Sequence, residues 1–250
     1  MSALEDNVSD PMARSGSTQE TTVHAGSGAG AGSDPETVAD AAEGSGSGLG
    51  PGTSDRRLIR GARARQTIAR HAADVASSEG LNGLSIGRLA TDLGLSKSGV
   101  QTLFGTKEAL QVAAAESARE AFLDAVVRPT RRTPRGAARL RALTEQWITY
   151  AETPLFPGGC FWVANLADFD SRPGKVRDVL FGHHRDWLDT LTGELREAVG
   201  AGEAPRLDAE LASFQIDAVL SAANIALRLG DNDATGKARR VIDGFLTPPR

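Results

Sequence analysis

The 250-residue sequence is poor in cysteine, in aromatic residues and in long hydrophobic stretches. Its one cysteine, Cys160, excludes an internal disulfide framework and is typical of the reducing cytoplasm. Since no run of about 18 apolar residues occurs, we expect no membrane span. The first residues, MSALEDNVSD, are acidic and polar, whereas a signal peptide begins with a basic segment followed by an apolar one. These absences predict a soluble, cytoplasmic protein with no membrane partner.

The formal net charge of −4 hides an uneven distribution. Residues 1–55 carry nine acidic residues against one arginine, and residues 56–110 carry nine basic residues against four acidic ones. The remainder is close to neutral, with 18 basic and 19 acidic residues. A positive segment within an acidic protein indicates a local site for a polyanion.

Residues 1–55 contain ten glycines and no aromatic residue, with stretches such as GSGAGAGSD. Such a segment cannot bury enough apolar surface to offset the entropy lost on ordering, so we predict a disordered tail. Its acidity permits two interpretations. It is either a solvated extension, which we favour, or a segment that competes with DNA for the basic region beside it.

Five arginines follow directly after the tail: Arg56, Arg57, Arg60, Arg63 and Arg65. Guanidinium groups placed before a DNA-binding fold can neutralise phosphates or enter a minor groove. The alternative is a solvated helix start without a partner. The motif that follows favours the phosphate role.

The stretch Ser85–Phe104 has the pattern of two short helices joined by a tight turn. Apolar residues at i, i+3, i+4 and i+7 share one face of the first helix: Ile86, Leu89, Ala90 and Leu93. Gly94 permits the left-handed backbone that ends this helix, Leu95 is expected to fill the corner, and Ser96 is placed to cap the second helix. Three residues of that helix point back at the first: Val100, Leu103 and Phe104. The sequence therefore predicts a helix-turn-helix whose outward face carries short polar side chains suited to a major groove: Lys97, Ser98, Gln101 and Thr102.

Further helical patterns flank this motif. A helix over about Arg63–Ser78, ending at Gly80, is expected to brace the two motif helices and complete a three-helix domain. Thr106 is placed to cap a fourth helix that runs to about Pro129. Lys107 lies beside the start of that helix, where its cation and the backbone N–H groups can face a phosphate.

The run from about Arg65 to Phe122 resembles the DNA-binding domain of the tetracycline-repressor-like (TetR) transcriptional regulators. The shared features are a first helix that ends in Glu79–Gly80, the block LSIGRLATDLGLSKSGV, and the run FGTKEAL. The family usually has an aromatic residue in the middle of the recognition helix, where this chain has Gln101. Glutamine can instead bind adenine through two hydrogen bonds, so this position is expected to contact DNA differently.

The resemblance implies a homodimer whose recognition helices enter successive major grooves of a pseudo-palindromic double-stranded operator. It also implies a C-terminal helical domain that dimerises and binds a small-molecule effector. The resemblance does not imply which molecule the effector is. We expect a repressor that the effector releases from DNA. Side chains facing the bases or nearby phosphates would be Lys97, Ser98, Gln101 and Thr102. The DNA backbone would be held by Ser85, Arg88, Ser96 and Lys107.

The C-terminal half shows helical patterns at about 136–152, 160–169, 175–199, 207–229 and 235–246, after a break at Arg128–Gly136. We therefore predict an all-α fold with a tail over 1–55, a DNA-binding domain over 56–122, and an effector-binding and dimerisation domain over 123–250. The segment Leu207–Leu229 is apolar nearly all round. One of its faces is formed by Leu211, Phe214, Ala218, Ala222 and Ile225. A second apolar face requires a second cover, which we expect to be another subunit, although an intramolecular cover is the alternative.

All three tryptophans and the only tyrosine lie between residues 147 and 187. Together with nearby residues they form a candidate ligand pocket: Trp147, Tyr150, Phe156, Cys160, Phe161, Trp162, His183 and Trp187. The competing interpretation is an ordinary core, because aromatic residues at helical spacing usually pack inside. The resemblance raises the pocket to equal standing.

We find no enzyme signature. His183 and His184 are adjacent, so on a helix they diverge by about 100° and are poorly placed to share one metal ion. Phosphate-binding loops and hydrolase or metalloprotease motifs do not occur in the sequence, so no cofactor and no metal are expected. The alternative to a regulator is a helical ligand-binding or scaffold protein whose helix-turn-helix no longer binds DNA. Gln101 favours this alternative, and the positive charge of residues 56–110 opposes it.

Overall fold

The computed structural model describes residues 53–247, and within them it contains helices and turns but no strand. The N-terminal helices are α1 (Thr53–Glu79), α2 (Ile86–Asp92), α3 (Lys97–Phe104) and α4 (Lys107–Phe122). The C-terminal helices are α5 (Ala137–Glu152), α6 (Phe161–Phe169), α7 (Lys175–Gly200), α8 (Ala209–Arg228) and α9 (Ala234–Phe245). The predicted all-α fold is confirmed, and the five C-terminal patterns match these helices to within two residues.

Local side chains fix where the helices of the N-terminal half begin. The hydroxyl groups of Ser85, Ser96 and Thr106 accept hydrogen bonds from backbone N–H groups in the first turns of α2, α3 and α4. Each bond satisfies a donor that a helix start leaves without a partner. Gly94 has a φ of 62°, so the turn between α2 and α3 uses the left-handed conformation that the sequence predicts.

Two local predictions for this half were wrong. Helix α1 begins at Thr53, ahead of the predicted start at Arg63. The sequence did not reveal this first part of the helix, because the side chains of residues 55–60 are exposed and lack the apolar periodicity that marks a packed helix. Leu95 does not fill the corner of the motif, since it is 43% exposed and the preceding Leu93 packs on the core instead. Helix α4 ends at Phe122, but the backbone stays helical beyond it, in a wider π-helical turn over Leu123–Val127 and a 3-10 helix over Arg128–Arg132, so the predicted helical run to about Pro129 is confirmed in extent.

The predicted tail of residues 1–55 lies outside the described residues, except for its last three, which are helical. The predicted boundary at residue 122 falls between α4 and the wider turn that follows it. Buried side chains form one continuous core from Ile68 to Leu246, on both sides of this point. The division into two domains therefore stays a prediction.

Helix α6 packs between α1 and the C-terminal helices α7 and α8. The side chain of Asn165, on α6, is fully buried; its Oδ1 accepts a hydrogen bond from the backbone N–H of Leu81 at 2.7 Å. Its Nδ2 donates to the carbonyl oxygens of Ala76 at 3.2 Å and Phe161 at 2.8 Å. Asn165 therefore joins α6 to the end of α1 and to the turn that leads into α2.

The segment before α6 also packs tightly on α1. The backbone N–H of Gly158 donates to Ser77 Oγ at 2.9 Å, and Arg70 donates to the carbonyl oxygen of Leu155 at 2.9 Å. A Cβ atom at residue 158 would lie 1.9 Å from the Ser77 carbonyl oxygen, so only glycine fits here. These contacts fix the start of α6 against the helix that braces the motif.

Candidate DNA-binding surface and ligand cavity

The outward face of α3 carries the four side chains that the sequence assigns to the bases. They are all exposed: Lys97, Ser98, Gln101 and Thr102. The hydroxyl group of Thr102 donates to the Ser98 carbonyl oxygen at 2.8 Å, and Ser98 Oγ lies 3.4 Å from Ser96 Oγ. The opposite face buries Val100 and Phe104. Burial of one face and exposure of the other leave the polar face available for a partner.

Gln101 lies near the C-terminal end of this face, and its Nε2 donates to the carbonyl oxygen of Gly105. The amide retains its oxygen and a second N–H, which are the groups that a contact with adenine uses. Gln101 therefore combines an exposed position with an intramolecular bond that orients its amide.

All four residues assigned to the DNA backbone are exposed and have protein partners: Ser85 and Ser96 accept the hydrogen bonds that cap α2 and α3, and the two basic residues bind oxygen atoms of the protein. Arg88 forms a two-bond ion pair with Glu79 and lies 3.7 Å from Asp92. The hydrogen bonds from Arg88 lower the pKa of Glu79, which keeps this carboxylate charged. Lys107 Nζ donates to the carbonyl oxygen of Asn82 at 2.6 Å and keeps two N–H groups for another acceptor. A phosphate at Arg88 would have to share its guanidinium with these carboxylates.

The basic start of α1 extends the positive surface beside the motif. Arg56, Arg57, Arg60 and Arg63 are exposed. Arg65 instead braces the recognition helix, because its Nη1 donates to the carbonyl oxygen of Leu103 at 2.6 Å and its guanidinium lies 4.4 Å from the centre of the Phe104 ring. Of the five arginines, four are therefore exposed charges available to a phosphate, and Arg65 holds α3 in place.

A cavity of about 560 Å³ lies among helices α4 to α8 and the turn after α4. Five of the eight predicted pocket residues line it: Trp147, Cys160, Trp162, His183 and Trp187. The wall is completed by apolar residues of the intervening helices, Phe122, Leu123, Val127, Val163, Leu166 and Ala167. The fold therefore brings the aromatic cluster around a space suited to a small molecule, and a ligand role for these five residues stays a prediction.

The other three predicted pocket residues, Tyr150, Phe156 and Phe161, are core residues that do not line the cavity. The Tyr150 hydroxyl accepts a hydrogen bond from the backbone N–H of Phe161 at 3.0 Å, and burial raises the pKa of Tyr150 well above its ordinary value. Phe161 precedes Trp162 on α6, and neighbouring helical residues point about 100° apart, so only Trp162 reaches the cavity.

The cavity wall also contains polar residues that the sequence analysis missed. They are Arg119, Asp186, Asp189, Thr190, Asp217 and Ser221. On α7 a signal was available, because residues 183, 186, 187 and 190 follow the i, i+3, i+4, i+7 spacing of one helix face. Asp217 gives no such local signal, since its contacts with His184 and Trp187 cross from α8 to α7.

Most of these polar groups are paired. Asp217 accepts hydrogen bonds at both carboxylate oxygens, from Trp187 Nε1 at 3.1 Å and at 2.9 Å from His184 Nε2. Arg119 forms an ion pair with Asp186 at 2.9 Å. Burial lowers the pKa of His183, although the nearby Glu116 carboxylate acts in the opposite direction.

Helix α6 connects the cavity with the motif. Trp162, Val163 and Leu166 of α6 line the cavity, and Asn165 of the same helix holds the backbone at Leu81 and Ala76. At the far end of α6, Asp168 Oδ2 accepts a hydrogen bond from Asn82 at 3.3 Å. A displacement of α6 by a ligand would therefore act directly on the turn that positions α2.

Helix α8 leaves one apolar face exposed. Leu211 is 55%, Phe214 64% and Ile225 50% exposed, and Ala218 and Ala222 lie on the same face. The opposite face, which includes Ile216, Leu220 and Ala223, is buried, as the two-faced pattern predicts. No cover for the exposed face comes from the described part of this chain.

Two properties bear on other classes of protein. Among the described helices, none is both long enough and apolar enough to span a membrane. Residues 53–247 also contain no group of three or more His, Cys, Asp or Glu side chains arranged to hold a metal ion.

Comparisons with known proteins agree with this fold. Residues 136–242 match the family model described as "Tetracyclin repressor-like, C-terminal domain". No curated protein has a sequence that matches this chain significantly.

Among solved structures, a TetR transcriptional regulator from Chloroflexus aurantiacus is similar with a TM-score of 0.69 at 22% identity, over 75% of this chain and 96% of the other. A transcriptional regulator from Saccharomonospora viridis in complex with choline gives a TM-score of 0.63 at 20% identity, over 74% and 95%. AibR, in complex with isovaleryl coenzyme A and operator DNA, gives 0.59 at 16% identity, over 74% and 99%. At these identities the likeness concerns the fold.

Proposed function

We propose that this chain is a member of the TetR-like family of transcriptional regulators and a DNA-binding repressor that a small-molecule effector releases from its operator. The observation that carries the proposal is the position of α6, which lines the cavity with one face and is hydrogen-bonded through Asn165 to the turn before α2. The other supports are the polar face of α3, the exposed apolar face of α8, and the similar fold of AibR, which binds both DNA and a small molecule.

On DNA, α3 enters the major groove. Its exposed side chains contact base edges or nearby phosphates: Lys97, Ser98, Gln101 and Thr102. The DNA backbone is held by Ser85, Arg88, Ser96 and Lys107, and the exposed arginines at the start of α1 add charge beside them. Arg88 contributes least, because Glu79 and Asp92 already neutralise its charge.

The protein acts as a homodimer on a pseudo-palindromic operator. Burial of the exposed α8 face against the same face of a second copy removes Leu211, Phe214 and Ile225 from water, and Ala218 and Ala222 allow the helices to approach closely. Residues 56–122 form its DNA-binding part and residues 123–250 its effector-binding and dimerisation part. It functions in the cytoplasm and is not an enzyme.

The effector acts through α6. A ligand that occupies the cavity shifts Trp162 and Leu166, and α6 transmits the shift to Leu81 through Asn165. The turn at Leu81 sets the position of α2 and thus of α3. When this turn moves, the two α3 helices of the dimer no longer match the spacing of the two operator half-sites. The ligand lowers DNA affinity only to the extent that it binds the DNA-free conformation more tightly.

A mobility-shift titration with the protein's own upstream intergenic DNA and with random DNA, at two salt concentrations, tests the DNA-binding role. The upstream DNA should be bound at least about 1,000-fold more tightly than random DNA. Lys107→Ala should weaken binding to both DNAs and reduce the salt dependence, because it removes a phosphate contact, whereas Gln101→Ala should change the preference at one base pair. Lys175→Ala, an exposed lysine on α7, is the matched control. Equal affinity for upstream and random DNA would contradict the proposal.

Light scattering tests the dimer. Replacing Phe214 and Leu211 by glutamate places charges on the exposed α8 face and should convert the dimer into a monomer. Leu58→Glu, which changes an exposed leucine on α1, should leave the dimer intact. A dimer that survives both α8 substitutions would refute this interface.

A further inference from the structure

Two buried polar atoms of the cavity-lining residues have no hydrogen-bond partner. They are the indole Nε1 of Trp162 and the imidazole Nδ1 of His183. Trp162 is 8% exposed, and the His183 side chain is 9% exposed. Since an unpaired buried donor or acceptor destabilises a fold, such a pair in one cavity wall requires an explanation.

The neighbouring indole and imidazole groups in the same wall have hydrogen-bond partners within the protein. Trp187 lines the same cavity, and its indole N–H donates to Asp217. His184, adjacent to His183, contacts the same carboxylate. The two unpaired atoms are therefore confined to Trp162 and His183, whose ring centres lie 6.2 Å apart.

The pair consists of one donor and one acceptor. The indole Nε1 of Trp162 can only donate. His183 Nε2 lies 3.4 Å from Glu116 Oε1, which places the proton of the neutral ring on Nε2 and leaves Nδ1 as an acceptor. Burial lowers the pKa of His183, in keeping with a neutral ring at neutral pH. A ligand that satisfies both atoms must accept one hydrogen bond and donate another.

The charges around the cavity exclude anionic ligands. Three carboxylates line it, Asp186, Asp189 and Asp217, against the single cation of Arg119, which is already paired with Asp186. A carboxylate or phosphate would lack a free cation and would face these acids. An ammonium ion would be attracted by these carboxylates, but it only donates hydrogen bonds, so it would leave the Trp162 Nε1–H without an acceptor.

We propose that the effector is a neutral, largely apolar molecule with a hydroxyl group, of the arenol class, whose O–H donates to His183 Nδ1 and whose oxygen accepts from Trp162 Nε1. The aromatic wall of Phe122, Trp147 and Trp187 contacts its rings. This inference rests on the proposed function, because it names the chemical class of the ligand that the cavity binds.

Equilibrium dialysis of the full chain against five probes of the same ring system tests the inference. They are 2-naphthol, 2-methoxynaphthalene, naphthalene, 2-naphthoate and 2-naphthylmethylammonium. The methoxy compound accepts but cannot donate, so affinity should fall about tenfold from 2-naphthol to 2-methoxynaphthalene and again to naphthalene. Both ions should bind more weakly than 2-naphthol. Tightest binding of either ion, or equal binding of 2-naphthol and naphthalene, would overturn the proposal.

Two variants assign the two hydrogen bonds. Trp162→Phe keeps an aromatic ring without the N–H and should reduce the binding of both oxygen compounds about tenfold but not that of naphthalene. His183→Phe should reduce only 2-naphthol binding, to the level of 2-methoxynaphthalene. Trp187→Phe is the matched control: it should leave the ratio of 2-naphthol to naphthalene affinity unchanged, because the Trp187 N–H is bonded to Asp217. Thermal melts establish that each variant is folded. A ratio that Trp162→Phe does not change would overturn the proposal.

These measurements use no DNA and are therefore separate from the test of operator binding. Tight 2-naphthol binding by a protein that does not distinguish upstream from random DNA would support the ligand class and contradict the regulatory role. Specific DNA binding without a preference for 2-naphthol would support DNA binding and contradict the proposed ligand class.

Discussion

The helix-turn-helix and the cavity are built by contacts of different range. Ser85, Ser96 and Thr106 cap their helices through residues three positions further along the chain. The cavity wall depends on distant partners: Asp217 binds side chains 30 and 33 residues away, and Asn165 binds backbone groups 84 and 89 residues away. The difference indicates that the helix-turn-helix is encoded by local sequence, whereas the cavity and its link to the helix-turn-helix exist only in the folded chain.

The largest effect is expected where this long-range link is cut. Asn165→Leu preserves the approximate size of the side chain but leaves the buried Leu81 N–H without its acceptor, and the Ala76 carbonyl oxygen keeps only the hydrogen bond from the Gly80 N–H. We expect the free energy of unfolding to fall by about 3 kcal/mol, measured by urea denaturation.

The control for this variant is Asn82→Ala. It removes an exposed hydrogen bond between Asn82 and Asp168 at the same junction, and it should change the stability by less than about 0.5 kcal/mol. A similar decrease in the free energy of unfolding for both variants would contradict the claim that the buried Asn165 amide contributes more to stability than the exposed Asn82 amide.

A local contact should have a smaller effect. Ser96→Ala removes the oxygen that accepts from the Gly99 N–H at 3.1 Å, so the free energy of unfolding should decrease by about 1 kcal/mol. The measurement is again urea denaturation, with Ser98→Ala as the control, since Ser98 is exposed in the first turn without capping α3. A loss for Ser96→Ala as large as that for Asn165→Leu would remove the contrast between the two regions.

The smallest effect concerns pH. Burial lowers the pKa of His183 below its ordinary value of 6.5, against the opposing influence of Glu116 and Asp186 and with the support of Arg119. The unfolded chain therefore binds the proton more readily, so stability is full above pH 6.5 and decreases as the pH falls below that value. The decrease between pH 7 and pH 5 should be smaller in His183→Phe than in the unchanged protein, as measured by thermal melts at several pH values. An identical decrease in both proteins would refute this role of His183.

The same difference in range explains how much could be predicted from the sequence. The caps at Ser96 and Thr106, the turn at Gly94 and the exposed face of α3 follow from residues within one helical turn of each other, and they were predicted correctly. The exposure of Leu95 was not, because it depends on which of two neighbouring leucines reaches the core.

For the cavity, the aromatic composition identified the region but not the inward-facing members. Phe161 and Trp162 are equally apolar neighbours, and only the rotation of α6 decides which one faces the cavity. Asp217 and Asn165 could not be assigned in advance, because their partners come from other helices. The two unpaired atoms on which the ligand class rests, Trp162 Nε1 and His183 Nδ1, likewise could not be identified from the sequence.

The most direct test of the central claim, that the cavity controls DNA binding, is the affinity for the upstream DNA with and without saturating 2-naphthol, measured by fluorescence anisotropy. For the unchanged protein we predict that 2-naphthol weakens DNA binding at least about tenfold, within the usual range of coupling between two sites. In Trp162→Phe, at the same concentration of 2-naphthol, the weakening should be smaller. DNA affinity that is independent of 2-naphthol in the unchanged protein, although 2-naphthol binds, would contradict the account.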